Sequence, residues 1–172
     1  MTQQAVSASL LKAAAERLSR HLQPTPLLAS RRDDTVGRVA LKCESVQPTG
    51  SFKVRGALHA IELLGASAHR TGVVAYSTAN HAQAVAWAAA RAGLQASIVM
   101  SPDAPEDKIA KTRAHGATVL MSEPTSRARQ QLAESVHAET GAALIPPFDD
   151  PRIIAGQGSI GFELARQIPD RD

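Results

Sequence analysis

Short apolar segments alternate with helical patterns through the middle of this chain of 172 residues. The apolar segments are residues 73–76, 96–100, 118–120 and 143–145. Helical patterns lie between them, over residues 82–91, 105–114 and 126–139. Connections of this length let successive strands run parallel while crossover helices pack on the sheet. The sequence therefore predicts an α/β fold with a parallel, doubly wound sheet.

Further elements are predicted before this alternation. An N-terminal amphipathic helix is expected because apolar side chains recur at helical spacing and two prolines then end the pattern. The apolar residues are Leu10, Leu11, Ala14, Leu18 and Leu22, and the prolines are Pro24 and Pro26. Residues 39–42 are predicted to form a strand, residues 47–50 a turn, and residues 54–64 a helix that begins beside Lys53.

The composition excludes several classes of protein. The single cysteine, Cys43, forms neither an internal disulfide nor a thiolate metal site. Aromatic residues make up 3% of the chain and basic residues are interspersed with acidic ones, so a nucleic-acid surface is not expected. No stretch approaches the roughly 20 consecutive apolar residues of a membrane helix, and no signal-peptide pattern is present. We therefore expect a soluble, cytoplasmic protein with no metal site and no nucleic-acid or membrane partner.

A lysine, Lys53, stands between the predicted turn and the predicted helix, within the segment PTGSFKVRGA from Pro48 to Ala57. A lysine amine condenses with an aldehyde, its pKa responds to its surroundings, and once freed it accepts a proton. The length of the motif favours this chemistry over a solvated lysine at the start of a helix.

A second motif, STANHAQ, occupies residues 77–83, directly after the predicted strand of residues 73–76. The first amides of a helix have no partner within the helix, and the helix dipole is positive there, which suits a carboxylate. Taken alone, the motif is typical of a helix-capping turn. Its spacing after Lys53 favours a binding loop instead.

The segment around Lys53 resembles the cofactor-lysine segment of the fold-type II pyridoxal-phosphate enzymes. This group includes threonine and serine dehydratases, serine racemase and the tryptophan synthase β subunit. The resemblance implies that Lys53 holds pyridoxal 5′-phosphate as a Schiff base and that Phe52 lies near the cofactor ring.

The second motif resembles the Ser-Ser-Gly-Asn-His or Ser-Ala-Gly-Asn-His loop of the same enzymes. The resemblance implies that this loop binds the substrate and that Asn80 also hydrogen-bonds the 3′-oxygen of the cofactor. The loop residues are Ser77, Thr78, Ala79, Asn80 and His81. We interpret His81 as structural, not as a general base. Thr78 keeps a hydroxyl that in racemases works opposite the lysine, and Ala79 replaces glycine, so a positive φ there would cost about 1 kcal/mol.

Three glycines, Gly156, Gly158 and Gly161, fit the G-x-G-x-x-G pattern of dinucleotide-binding folds. That pattern normally follows a strand and opens a crossover helix, whereas here a proline-rich loop precedes it. Residues 147–151 and 154–163 instead resemble the segment where dehydratases and racemases re-enter their large domain. We therefore do not predict a dinucleotide site.

The resemblance implies a tryptophan synthase β-like fold that is truncated in this chain. Residues 1–64 are expected to begin a large cofactor domain, residues 65–149 to form a small α/β domain, and residues 150–172 to return incompletely into the large domain. The glycine-rich loop that binds the cofactor phosphate in this family is expected to lie beyond Asp172.

The implied reaction is β-elimination on a hydroxy amino acid such as L-threonine or L-serine, which yields a 2-oxo acid and ammonia. Two alternatives stay open: racemisation, favoured by the Thr78 hydroxyl, and an inactive fragment, favoured by the absent phosphate loop. The motifs do not choose among threonine, serine and hydroxyaspartate. The intact protein is expected to be a homo-oligomer, as members of this family commonly are.

Overall fold

The computed structural model describes residues 6–30 and 39–168. The helices are α1 (Ala8–Leu18), α2 (Lys53–Glu62), α3 (Ala68–Thr71), α4 (Asn80–Arg91), α5 (Glu106–Ala114), α6 (Ser126–Thr140) and α7 (Pro151–Gln167). The strands are β1 (Leu27–Ser30), β2 (Val39–Lys42), β3 (Val73–Tyr76), β4 (Ala96–Met100), β5 (Thr118–Met121) and β6 (Ala143–Leu144). A short 3-10 helix, Glu44–Val46, follows β2.

The predicted parallel sheet is confirmed. Strands β5, β4, β3 and β6 lie side by side in that order, and each neighbouring pair is parallel. The helices α4, α5 and α6 connect successive strands of this sheet. β2, β3 and β4 begin and end at the predicted residues, because each is a short apolar run with a clear boundary.

Alternate side chains of β3 enter two different cores. Val73 and Ala75 belong to the larger core, together with Val85 of α4. Val74 and Tyr76 belong to a second core, together with Ala133 of α6. Since successive residues of a strand point to opposite faces, α4 and α6 cover opposite faces of the sheet, as a doubly wound fold requires.

Besides the 3-10 helix, two further elements of the described chain were not predicted. β1 pairs with β2 in a separate antiparallel sheet of two strands, and α3 forms one short helical turn before β3. β1 follows two prolines and is only four residues long, and α3 is too short to show helical periodicity. Neither feature changes the parallel sheet.

The three helices α1, α2 and α7 pack against one another, and α2 also packs against α4 of the sheet layer. Leu18 and Leu22, which the helical pattern placed on one face, are both buried. Within the described part of the chain, no helix combines the length and the apolar character needed to cross a membrane. The division at residues 64 and 149 stays a prediction, and residues 169–172, where a truncation is expected, lie outside the described residues.

A buried arginine, Arg55, joins the 3-10 helix to α2 and α7. Its side chain is 1% exposed and makes paired hydrogen bonds to Glu44 (2.7 and 2.8 Å) and to Glu163 (2.6 and 3.0 Å). Lys42 adds a second cation, with Nζ 2.6 Å from Oε2 of Glu163. Burial by itself would raise the pKa values of the two carboxyl groups, but the hydrogen bonds and charge of Arg55 hold both below their usual 4.5.

The glycines of the G-x-G-x-x-G pattern lie inside α7, so they do not form a strand-to-helix turn. At Gly156 a Cβ atom would meet the Cα of Gly56 at 2.6 Å and the carbonyl oxygen of Arg55 at 2.7 Å. Gly156 and Gly56 therefore let α7 and α2 approach backbone to backbone. This packing role agrees with the sequence argument against a dinucleotide site.

Replacing Gly156 by alanine should destabilise the fold by about 1–3 kcal/mol, because the new methyl group overlaps backbone atoms of α2. Gly161→Ala is the matched control on the same helix, since a Cβ there meets no atom within 4 Å. Alanine should stabilise that exposed position by up to about 1 kcal/mol. Urea unfolding of both variants checks the prediction, and equal stability of the two would contradict the close contact.

Replacing Arg55 by methionine should cost about 3–5 kcal/mol at pH 7, because two half-buried carboxylates lose their shared cation. Both carboxyl pKa values are lowered in the native chain, so their contribution is present above pH 4.5 and is lost as pH falls through the lowered values. The difference between variant and native chain should therefore shrink as pH falls from 4.5 through the lowered values.

Urea unfolding across this pH range measures the effect. Arg113→Met, at an exposed position on α5, is the control and should change little. A loss that stays constant as pH falls from 7 to well below 4.5, as far as the native chain remains folded, would show that Arg55 acts through packing and not through charge.

Candidate active site

A cleft of about 360 Å³ opens where β3 and β6 end. β3 lies between β4 and β6, so the chain leaves β3 toward one side and later returns on the other. Loops diverge at such a position and leave a crevice outside the carboxyl ends of the strands. All the site residues named from the sequence line this cleft: Phe52, Lys53, Ser77, Thr78, Ala79, Asn80 and His81.

Lys53 is the first residue of α2 and enters the cleft from the tight turn before it, where Gly50 has a φ of 70°. The Lys53 Nζ donates a hydrogen bond to the carbonyl oxygen of Pro147 at 2.7 Å and lies 5.3 Å from the centroid of the Phe52 ring. No carboxylate of a described residue pairs with it. Burial lowers the pKa of Lys53, which favours a neutral, nucleophilic amine.

The loop after β3 opens α4 without a capping side chain. The amide of Ala79 donates to Oγ of Ser77 at 3.1 Å, which tightens the loop just before Asn80, the first residue of the helix. The first amides of a helix have no carbonyl partner in their own helix, so they are available to an anion in the cleft.

Ala79 does not adopt the left-handed conformation that would favour glycine. Its φ is −154°, and Asp149 is the only described residue other than glycine with a positive φ. The cost that a positive φ would bring is therefore absent at Ala79. The alanine still adds a methyl group to the lining of the cleft.

His81 is 2% exposed and its ring contacts the segment after β6. The carbonyl oxygen of Ile145 only accepts hydrogen bonds, so the Nε2 atom of His81 donates to it, at 3.0 Å. Burial lowers the pKa of His81 to about 4, although the hydrogen bond partly opposes this. A neutral ring bonded to the backbone agrees with the structural interpretation of this histidine.

Asn80 has a partner that the sequence did not point to. Its Oδ1 atom accepts a hydrogen bond from Nζ of Lys108, on α5, at 3.2 Å. Lys108 lies within the helical pattern of residues 105–114, and nothing in the order of residues relates it to Asn80. The pairing arises because α4 and α5 pack side by side on one face of the sheet.

Other residues complete the cleft and were also missed. They are Tyr76, Ser126, Arg129, Pro147 and Phe148. Arg129 is half-buried on α6, and no carboxylate is among the lining residues, so Lys53 and Arg129 make the cleft cationic. Helical spacing did not show which side of α6 faces the cleft, because this helix is polar around most of its circumference.

Comparison with known proteins is consistent with this geometry. Residues 18–172 match the family described as "pyridoxal-phosphate dependent enzyme". The chain is 38% identical to serine racemase of Schizosaccharomyces pombe, over 92% of this chain and 50% of that protein. It is 43% identical to an L-threo-3-hydroxyaspartate ammonia-lyase of a Pseudomonas species, over 88% of this chain and 48% of that protein.

A solved structure supports the same relationship. The crystal structure of a threonine deaminase from T.th. superposes with a TM-score of 0.85 at 45% identity, over 95% of this chain and 52% of that chain. This chain thus spans about half the length of the relatives that it matches. It belongs to the pyridoxal-phosphate-dependent enzyme family, in the fold-type II group of threonine dehydratases and serine racemases, and the cofactor of that family is pyridoxal 5′-phosphate.

Proposed function

We propose that this protein is an ammonia-lyase that eliminates the β-hydroxyl group of a hydroxy amino acid, with Lys53 as the residue that carries the cofactor. The observation that carries the proposal is the position of the Lys53 amine, in the same cleft as the uncapped start of α4. The product of this reaction is a 2-oxo acid with release of ammonia. The names of the relatives support elimination or racemisation of amino acids as the general class.

The residues of the cleft fit pyridoxal phosphate. Lys53 has a lowered pKa, a backbone carbonyl as partner and no ion pair among the described residues, so its amine is suited to condense with an aldehyde. When bound, the cofactor supplies an electron sink for the charge left on the substrate α-carbon. Lys53 is then the base placed to take the α-proton, while the first amides of α4 hold the substrate carboxylate.

The charges of the cleft favour a substrate with a second carboxylate. After Lys53 has bound the cofactor, Arg129 remains as a cation without an ion-pair partner among the described residues, on the wall formed by α6. A guanidinium binds carboxylates through paired hydrogen bonds. We therefore propose a 3-hydroxyaspartate-like substrate in preference to threonine or serine, in line with a 43% identical relative of that name.

Racemisation is the second candidate. Thr78 brings a hydroxyl group into the lining of the cleft, and a racemase needs a second proton carrier besides the lysine. One of the matched relatives is a serine racemase. Formation of a 2-oxo acid and loss of optical activity, followed in the same reaction, separate the two candidates. The expected cytoplasmic location and homo-oligomeric state stay predictions.

Incubation with pyridoxal phosphate, borohydride reduction and peptide mass spectrometry should place the label on Lys53 before exposed lysines such as Lys12 and Lys111. Burial lowers the pKa of Lys53, so more of its amine is neutral at a given pH.

The matched controls are Lys53→Ala, which should lose the label, and Lys111→Ala, which should keep it. Lys111 is exposed and pairs with Asp107 on its own helix. Labelling spread evenly over the lysines of the native chain would contradict the assignment of Lys53.

Replacing Arg129 by methionine should raise KM for L-threo-3-hydroxyaspartate about tenfold or more, because a charged hydrogen bond to the second carboxylate is lost. KM for L-threonine should change by less than about threefold, since it has no such group. Arg127→Met, at an exposed position on the same helix outside the cleft, is the control. Equal changes for both substrates in Arg129→Met would show that Arg129 does not select the second carboxylate.

A further inference from the structure

The hydrogen bond between Lys108 and Asn80 determines which end of the Asn80 amide faces the cleft. An asparagine amide has an oxygen that only accepts and a nitrogen that only donates hydrogen bonds. An ammonium group only donates, so the contact at 3.2 Å identifies the Asn80 atom next to Lys108 as the oxygen. The amide nitrogen of Asn80 must then point away from Lys108.

The amide nitrogen of Asn80 has no acceptor among the residues that the structure describes, although its oxygen is paired. Asn80 lines the cleft and is the first residue of α4. The unused N–H donors therefore lie beside the first amides of the helix, which also donate. Such a group of donors suits an anionic oxygen.

Lys108 is in an unusual electrostatic position for a lysine that only stabilises the fold. It is the third residue of α5, where the positive end of the helix dipole disfavours a cation. It ion-pairs with no carboxylate of a described residue, whereas Lys111 on the same helix pairs with Asp107 at 3.1 Å. Lys108 is half-buried and donates to a neutral amide oxygen. An effect on the Asn80 amide explains this arrangement better than a contribution to the stability of the fold does.

We infer that Lys108 is a positioning residue for Asn80. By occupying Oδ1 it holds the amide so that Nδ2 presents its hydrogens to an anionic oxygen of a bound molecule in the cleft. That oxygen belongs either to the cofactor or to the carboxylate of the amino acid. The identity of the bound molecule rests on the proposed function. The orientation of the Asn80 amide rests only on its hydrogen bond to Lys108.

The sequence allows a direct measurement, because Asn80 is the only asparagine in the chain. Selective labelling of asparagine with 15N and 13C gives one side-chain amide signal, without any ligand. In Lys108→Met the 13Cγ shift of Asn80 should move and the order parameter of Nδ2 should fall, because the bond to Oδ1 is lost. Lys108→Arg keeps a cationic donor and should retain both values.

Lys111→Met is the matched control, since it removes a lysine from the same helix at an exposed site. It should leave the Asn80 signal unchanged. An unchanged Asn80 signal in Lys108→Met would overturn the inference, whatever the protein binds.

The second part of the experiment measures the binding of pyridoxal phosphate. Binding is monitored by the absorption of the cofactor and by the amount of Lys53 that carries the label after borohydride reduction. If the acceptor is a cofactor oxygen, Lys108→Met should bind pyridoxal phosphate about tenfold more weakly, while Lys108→Arg and Lys111→Met should not. If only binding of the amino acid weakens, the acceptor is its carboxylate.

The two proposals fail separately. Absence of cofactor from Lys53 in the native chain would count against the proposed function and would leave the amide signal as the test of Lys108. Normal labelling of Lys53 together with identical cofactor and amino-acid binding in Lys108→Met would overturn the role of Lys108 alone.

Discussion

The position of the candidate active site depends on one buried arginine. Arg55 lies two residues after Lys53 and is held between Glu44 and Glu163, which are far apart in the sequence. A buried cation without partners would be very unfavourable, so α2, the 3-10 helix and α7 are constrained to meet around this side chain. The same contact fixes the start of α2, and with it the direction from which Lys53 enters the cleft.

The second constraint is the order of the strands. Because β6 returns to the side of β3 opposite β4, the ends of these strands separate and the loops after them form the walls of the cleft. The loop after β3 brings Asn80, and the segment after β6 brings the Pro147 carbonyl that binds the Lys53 amine. His81 connects these two walls through its bond to Ile145. Contacts within the fold thus hold the Lys53 amine, the loop before α4 and the segment after β6, and groups held in this way lose less freedom when a ligand binds.

Much of the sheet was predictable, since buried parallel strands appear in a sequence as short apolar runs between amphipathic helices. Val73–Tyr76 and Ala96–Met100 are such runs. The residues around Lys53 and Asn80 were also predictable as a group, because both motifs are local in the chain. β1 was missed because its strand pairing depends on β2, which comes later in the chain, and because its own four residues are too few to show a clear pattern. The glycines of α7 were recognisable as a motif, but only the approach of α2 shows that close packing requires Gly156.

The sequence by itself determined the fold class, and it singled out the lysine and the loop that we propose bind the cofactor and a carboxylate. Each of these depends on residue types that lie close together in the sequence. Such local patterns predict strands, turns and helix starts, because these elements have a local backbone geometry. Only the tertiary structure decided that Arg129 faces the same cleft as Lys53, and that Lys108 turns the amide of Asn80. These contacts join residues from different helices, and their distances are set by how the helices pack on the sheet, which no spacing along the chain specifies.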